Sequence, residues 1–215
     1  MPVAYIRTAT NFQLPMTFAD LDNMLLLQGP ALARLTDEEF FDLCQHNPTL
    51  RLERTADHNI IAMPPAGSES SRKSSEVIFQ LMLWNRERQL GYVYESSAGF
   101  TLPDGSVRSP DAAWLSRVAF EGLTEAQRQR FPPVCPAFVV EVRSPSDGLA
   151  SLRRKMDDYL RNGVETAFLL DPETETAYVY RRGQASEELA SFDRSLSAEP
   201  TLPGFALDLR PLRRA

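Results

Sequence analysis

Two acids pose the chemical question in this sequence. Asp111 stands in Arg108-Ser109-Pro110-Asp111, at the end of a strand-like stretch. Glu141 follows later, inside the valine-rich run Phe138-Val139-Val140-Glu141-Val142-Arg143. A carboxylate in an apolar run is costly unless something offsets its desolvation. A divalent cation does that, and so does a buried arginine. Two carboxylates from neighbouring strands, with the backbone carbonyl of Val142 beside the second, form a set of hard oxygen donors that suits Mg²⁺ or Mn²⁺. Such an ion polarises a phosphodiester and lowers the pKa of a bound water. An ammonium close by orients that water or stabilises the charge building on phosphorus. Lys155 is placed for this: Leu152, Met156 and Tyr159 repeat at i, i+4, i+7 on a helix, and Lys155 borders that stripe. Strand alternation puts Arg143 on the same face as Val139 and Glu141.

The elements that must position these groups can be read in order. Phe18–Gln28 reads as a short helix within an N-terminal arm, residues 1–35. Thr36 caps a second helix, with Glu39 in the capping-box place, and that helix ends near His46 before Asn47-Pro48. Leu50–Glu53 and Asn59–Met63 read as a hairpin. Pro64–Ser71 is a loop rich in Pro, Gly and Ser. Val77, Leu81 and Trp84 then mark a helix over Ser74–Arg88. Short strands follow at Tyr92–Glu95 and Gly99–Leu102. Val107–Leu115 reads as one strand carrying Asp111, and Thr124–Arg130 as a short helix. Phe138–Arg143 is the central buried strand. Leu149–Asn162 is a helix closed by Gly163. Strands at Val164–Leu170, Thr176–Arg181, Glu187–Ser191 and Leu202–Leu209 complete the chain. Strands and helices interleave throughout, which predicts one α/β (α+β) domain over residues 36–215 with an N-terminal appendage.

Composition narrows the chemistry. The chain has 215 residues and is 43% hydrophobic, enough for a sizeable core. Its two cysteines, Cys44 and Cys135, are too few for a disulfide framework or a cysteine zinc site. The two histidines, His46 and His58, make a histidine-based zinc site or triad a poor expectation, so carboxylates, lysine and arginine must carry any reaction. The net charge of −6 argues against gripping nucleic acid by bulk charge. Arg72-Lys73, ahead of the long helix, is a candidate phosphate contact. No apolar stretch is long enough to span a membrane and no signal-peptide pattern is visible, so the expected compartment is the cytoplasm.

The ordered set resembles the PD-(D/E)XK nuclease superfamily, and more closely its Uma-type family of restriction endonucleases. The stretches that carry the resemblance are Leu50–Glu53, Met63-Pro64-Pro65 with Gly67-Ser68, Ser109-Pro110-Asp111-Ala112, Val139–Ser146, Lys155–Tyr159, Asn162-Gly163-Val164 and Asp171-Pro172. The resemblance runs from about residue 36 onward and leaves the arm unexplained. It implies a restriction-endonuclease-like mixed sheet flanked by helices, with Asp111 and Glu141 as Mg²⁺ ligands. It also implies Glu53 as a third acid of the site, DNA as substrate, and Lys155 as the catalytic lysine displaced from its usual place. Arg143 occupies that usual place, and arginine is a poor water activator because it stays protonated. Cutting both strands of a duplex calls for two sites, hence a homodimer. A second reading stays open: Glu141 forms a buried ion pair with Arg143 or Lys155, binds no metal, and the chain is an inactive nuclease-fold scaffold or nucleic-acid-binding protein. A phosphoester hydrolase acting on RNA or nucleotides is a third.

Overall fold

The computed structural model describes residues 24–213. In chain order its first elements are β1 (Leu25–Leu27), α1 (Asp37–His46), β2 (Arg51–Arg54), β3 (Ile60–Met63), α2 (Ser68–Arg88), β4 (Gly91–Glu95), β5 (Phe100–Thr101), β6 (Val107–Arg108) and β7 (Ala112–Ser116). Then come α3 (Arg117–Glu121), α4 (Glu125–Arg128), β8 (Phe138–Val142), α5 (Leu149–Asn162), β9 (Thr166–Asp171), β10 (Thr176–Arg181), β11 (Glu187–Ala190), β12 (Ser195–Ser197) and β13 (Ala206–Asp208). Sheets flanked by helices make this a mixed α/β fold.

The larger sheet runs β11-β10-β9-β8-β7-β4. Its pairs are antiparallel except β8–β9, which is parallel and joined by the crossover helix α5. Every residue of β8 is buried, as its unbroken apolar run requires. Phe138, Val140 and Val142 point into the core beneath α2, while Val139 faces Leu152, Met156 and Tyr159 of α5. Burying each such side chain contributes roughly 1.5–3 kcal/mol. Gly163 ends α5 at φ 111°, a conformation that favours glycine. Gly91 is required for a different reason: a Cβ there would stand 2.2 Å from the carbonyl oxygen of Leu115.

The smaller sheet runs β1-β3-β2-β6-β5 and packs Leu52, Ile60 and Val107 against Phe40 of α1. The capping box of α1 is formed by Thr36 and Glu39 as read from the sequence. Buried Arg54 ties this layer together, bonding the Leu35 and Gly105 carbonyls and the Asp37 carboxylate.

Several elements depart from the sequence reading. Leu25–Leu27 is strand, not helix, and pairs with β3; residues 18–23 of that expected helix lie outside the described residues. The long helix starts at Ser68, inside the stretch read as loop, because Gly67 supplies the extended N-cap and the serines enter the first turn. Val107–Leu115 is two strands in two sheets. Pro110 cannot donate to a ladder, so the chain leaves the smaller sheet at Arg108 and enters the larger at Ala112. Asp111 is therefore held at the joint between the sheets. Helix α3 and strand β12 were not anticipated.

Candidate active site

Register places the two acids. In the antiparallel β7–β8 ladder Ala112 faces Val140 and Ala113 faces Val139. Continued by one residue, that register sets Asp111 opposite Glu141, with both side chains on one face of the sheet. The Val142 N–H donates to Asp111 Oδ2 at 2.8 Å, which fixes the aspartate. The next pair along would be Val142 with Pro110. Proline has no N–H, so the Val142 carbonyl loses its ladder donor.

Glu141 is 6% exposed, and its Oε1 accepts from the Tyr159 hydroxyl at 2.8 Å. Lys155 Nζ lies 2.7 Å from the same oxygen and 2.9 Å from Glu53 Oε1. The amino group of α5 thus leans over the sheet as the helix spacing predicted. Glu53, 2% exposed on β2, also accepts from the Ser109 N–H at 2.9 Å and from Arg108 Nη1 at 3.1 Å. Both of its oxygens are engaged, by Lys155, Arg108 and the Ser109 N–H, so in this arrangement Glu53 braces Lys155.

Charge and burial set the protonation states. Burial drives the Glu141 carboxyl up to about 7; Lys155 opposes the shift, and Asp111 and Glu53 add to it. Burial also raises Asp111, against the pull of the Val142 N–H. For Glu53 the burial cost is outweighed by Lys155 and Arg108, and its carboxyl lies below the ordinary value. Burial works against the Lys155 charge, but Glu141 and Glu53 outweigh it and raise its pKa. Lys155 is therefore an ammonium, a fixed positive charge and hydrogen-bond donor and not a base.

The remaining sequence candidates fall elsewhere. Arg143 lies past the end of β8 and does not neutralise Glu141. Its Nη1 is 2.7 Å from Asp171 Oδ2 and its Nε donates to the Asp147 carbonyl at 2.9 Å. Arg72 is exposed and bonds Glu69 and the Pro211 carbonyl. Lys73 is buried and lines a small cavity with Arg143, Ser144 and Asp171, beside the main cleft. Two partners escaped the sequence reading. Arg108 had a signal, a cation just ahead of Pro-Asp. Tyr159 had one too, since a buried tyrosine needs a partner for its hydroxyl. Asp158 of α5 also accepts from Arg108, at 3.2 Å.

A cleft of about 600 Å³ opens over this group, walled by Glu53, Arg108, Asp111, Glu141, Asp147 and Lys155. Among the described residues, Asp111 Oδ1 and Glu141 Oε2 accept no hydrogen bond. With the Val142 carbonyl they make a set of unclaimed hard oxygens, which fits Mg²⁺ or Mn²⁺ and does not suit a softer metal.

The profile of the Uma2 family, described as "Putative restriction endonuclease", matches residues 37–210. This chain belongs to the Uma2 family. The match spans the elements from α1 to β13 and so includes both acids and Lys155. A crystal structure described as a "putative nuclease belonging to DUF820 from Anabaena variabilis ATCC 29413" shares the fold at a TM-score of 0.69. That chain is 19% identical, and the alignment covers 83% of this chain and 97% of the other. A comparison with curated proteins finds no match. Among the described residues of this Uma2 chain, no helix is long and apolar enough to cross a membrane.

Proposed function

We propose that this Uma2 protein is an endonuclease that hydrolyses DNA phosphodiester bonds with Mg²⁺, for which Mn²⁺ can substitute. The observation that carries this reading is the cross-strand placement of Asp111 and Glu141, with an ammonium 2.7 Å from Glu141. Asp111, Glu141 and the Val142 carbonyl would hold the ion, which would supply Lewis acidity toward a phosphoryl oxygen and acidify a water. Lys155 donates to the charge that develops on phosphorus. Glu53, backed by Arg108 and the Ser109 N–H, holds Lys155 in place, and Tyr159 orients Glu141. Arg143 positions the end of the strand through Asp171. Lys73, which lines the small cavity beside the cleft, and Arg72, one residue before it, would contact flanking phosphates. The nuclease domain is residues 36–215, with 1–35 as its arm, acting as a homodimer in the cytoplasm.

A second reading rests on one observation. Lys155 is already paired with two buried acids, and an ion-pair network of this kind needs no metal. On that reading the chain is an inactive scaffold. Incubating the protein with plasmid, single-stranded DNA, RNA and nucleotides, with and without Mn²⁺, separates the two. Metal-dependent cleavage of DNA, lost in Asp111→Asn, is the expected result. No cleavage of any substrate, together with no binding of Mn²⁺, overturns the proposal and leaves the scaffold.

A further inference from the structure

Beside the cleft, exposed apolar surface gathers on one flank. Phe79, Met82 and Leu83 are 59%, 52% and 50% exposed, and their i, i+3, i+4 spacing makes one stripe along α2. The opposite stripe, Val77, Leu81 and Trp84, is buried in the core. A helix that is apolar on two faces has a second surface to cover. Strand β4 runs beside this stripe: Phe79, Met82, Glu95 and Ser96 line one shallow groove. Tyr92 and Val118 extend the apolar area at the other end of β4.

β4 is also an edge. Among the described residues it pairs with β7 alone. The opposite edge, β11, carries exposed Glu187 and Glu188, charges that discourage pairing. The middle of β4 is Tyr92-Val93-Tyr94 and has no charge. The Arg117 N–H donates to the Leu90 carbonyl, so even-numbered residues of β4 turn their backbone groups to β7. Val93 therefore turns its N–H and C=O outward.

We infer that two copies of this chain associate through this face, with β4 pairing antiparallel to β4 about a two-fold axis at Val93 and the two α2 stripes packed on each other. A second copy fits this face because the edge is self-complementary in that orientation. Glu95 closes one end of β4, and Arg117, held by the Gln89 carbonyl, closes the other. Antiparallel pairing brings each glutamate toward the other copy's arginine. One sheet then continues through both copies. Glu95 faces Ala112, the neighbour of Asp111, so both clefts lie close to the axis. The association itself does not depend on the cleft being catalytic.

Sedimentation of the full chain tests this. The expected mass is twice that of the chain at micromolar concentration. Met82→Glu or Phe79→Glu, both at exposed positions, is expected to weaken association by at least about tenfold while the melting curve of the chain is retained. Under mild oxidation Val93→Cys is expected to cross-link two copies, whereas Glu188→Cys on the other edge is not. A monomer at about 100 µM overturns the inference, whether the face is then bare or covered by residues 1–23. So does a dimer that neither charge substitution weakens, or one that cross-links through Glu188→Cys.

Discussion

Lys155 Nζ lies 2.7 Å from Glu141 Oε1, inside a layer where neither side chain has much access to water. The contact gives the helix cation a structural task beside the chemical one proposed for it. Lys155→Met leaves Glu53 and Glu141 without their shared counter-charge, and breaking a buried pair costs about 3–5 kcal/mol. Urea unfolding should show that loss, with part of it restored by Mn²⁺. Cleavage should fall by about a hundredfold or more even where the variant is folded. Cleavage at the parent rate in folded Lys155→Met removes the lysine from the mechanism.

Metal binding should be visible without any substrate. An ion that binds only the folded chain stabilises it by about 2.7 kcal/mol at a hundred times its Kd. Thermal melts with Mn²⁺ should rise for the parent chain and stay flat for Asp111→Asn and Glu141→Gln. An equal rise in all of them places the ion elsewhere.

The pH dependence follows from the lifted Glu141 carboxyl. Its value of about 7 exceeds the ordinary 4.5, so between those limits the folded chain holds a proton that the unfolded chain has lost. Stability from this group is complete in acid and falls as pH rises through 7. Glu53 runs the other way: its lowered value makes a contribution present above the ordinary glutamate range and lost on acidification. Without divalent ions, melting temperature should decline from about pH 5.5 to about pH 7.5 in the parent and less so in Glu141→Gln. Mn²⁺ should reverse the slope, because the cation selects the ionised carboxylate. A parent slope identical to that of Glu141→Gln refutes the assignment.

Arg143 should behave as a structural residue. Its partner Asp171 is 1% exposed, so Arg143→Ala strands a buried carboxylate at a cost of about 3 kcal/mol. Denaturant midpoints should shift, while cleavage per folded molecule stays within about tenfold of the parent. An intact midpoint with cleavage abolished gives Arg143 a direct role instead.

Glu53→Gln separates positioning from ligation. It keeps the shape and the Ser109 bond but weakens the hold on Lys155. Mn²⁺ affinity should be unchanged and kcat should fall by about tenfold or more. A parallel loss of Mn²⁺ affinity makes Glu53 a ligand after all.

Local pattern carried much of this into view. The apolar run of β8, the i, i+4, i+7 stripe of α5 and the box at Thr36 are short-range signals, and each element formed where its pattern stood. The meeting of Asp111, Glu141 and Lys155 was legible because two strands and a crossover helix have few ways to pack. What the pattern hid was long-range. Nothing near Glu53 says that its oxygens face Arg108 and Lys155, residues far along the chain. Arg143 misled for a related reason: alternation predicts a face only while the strand lasts, and β8 ends one residue earlier. The helical reading of Leu25–Leu27 failed because leucine runs suit either state and pairing with β3 decides.

Ser109 and Pro110 form a hinge pin with no slack. Arg108 on one side of it serves Glu53, Asp111 on the other faces Glu141, and the Ser109 N–H bonds Glu53 directly. A few glycines spliced between Arg108 and Asp111 would leave each sheet free to fold yet uncouple the lysine's brace from the acids it serves. The length of this one step is set by the site on both sides of it.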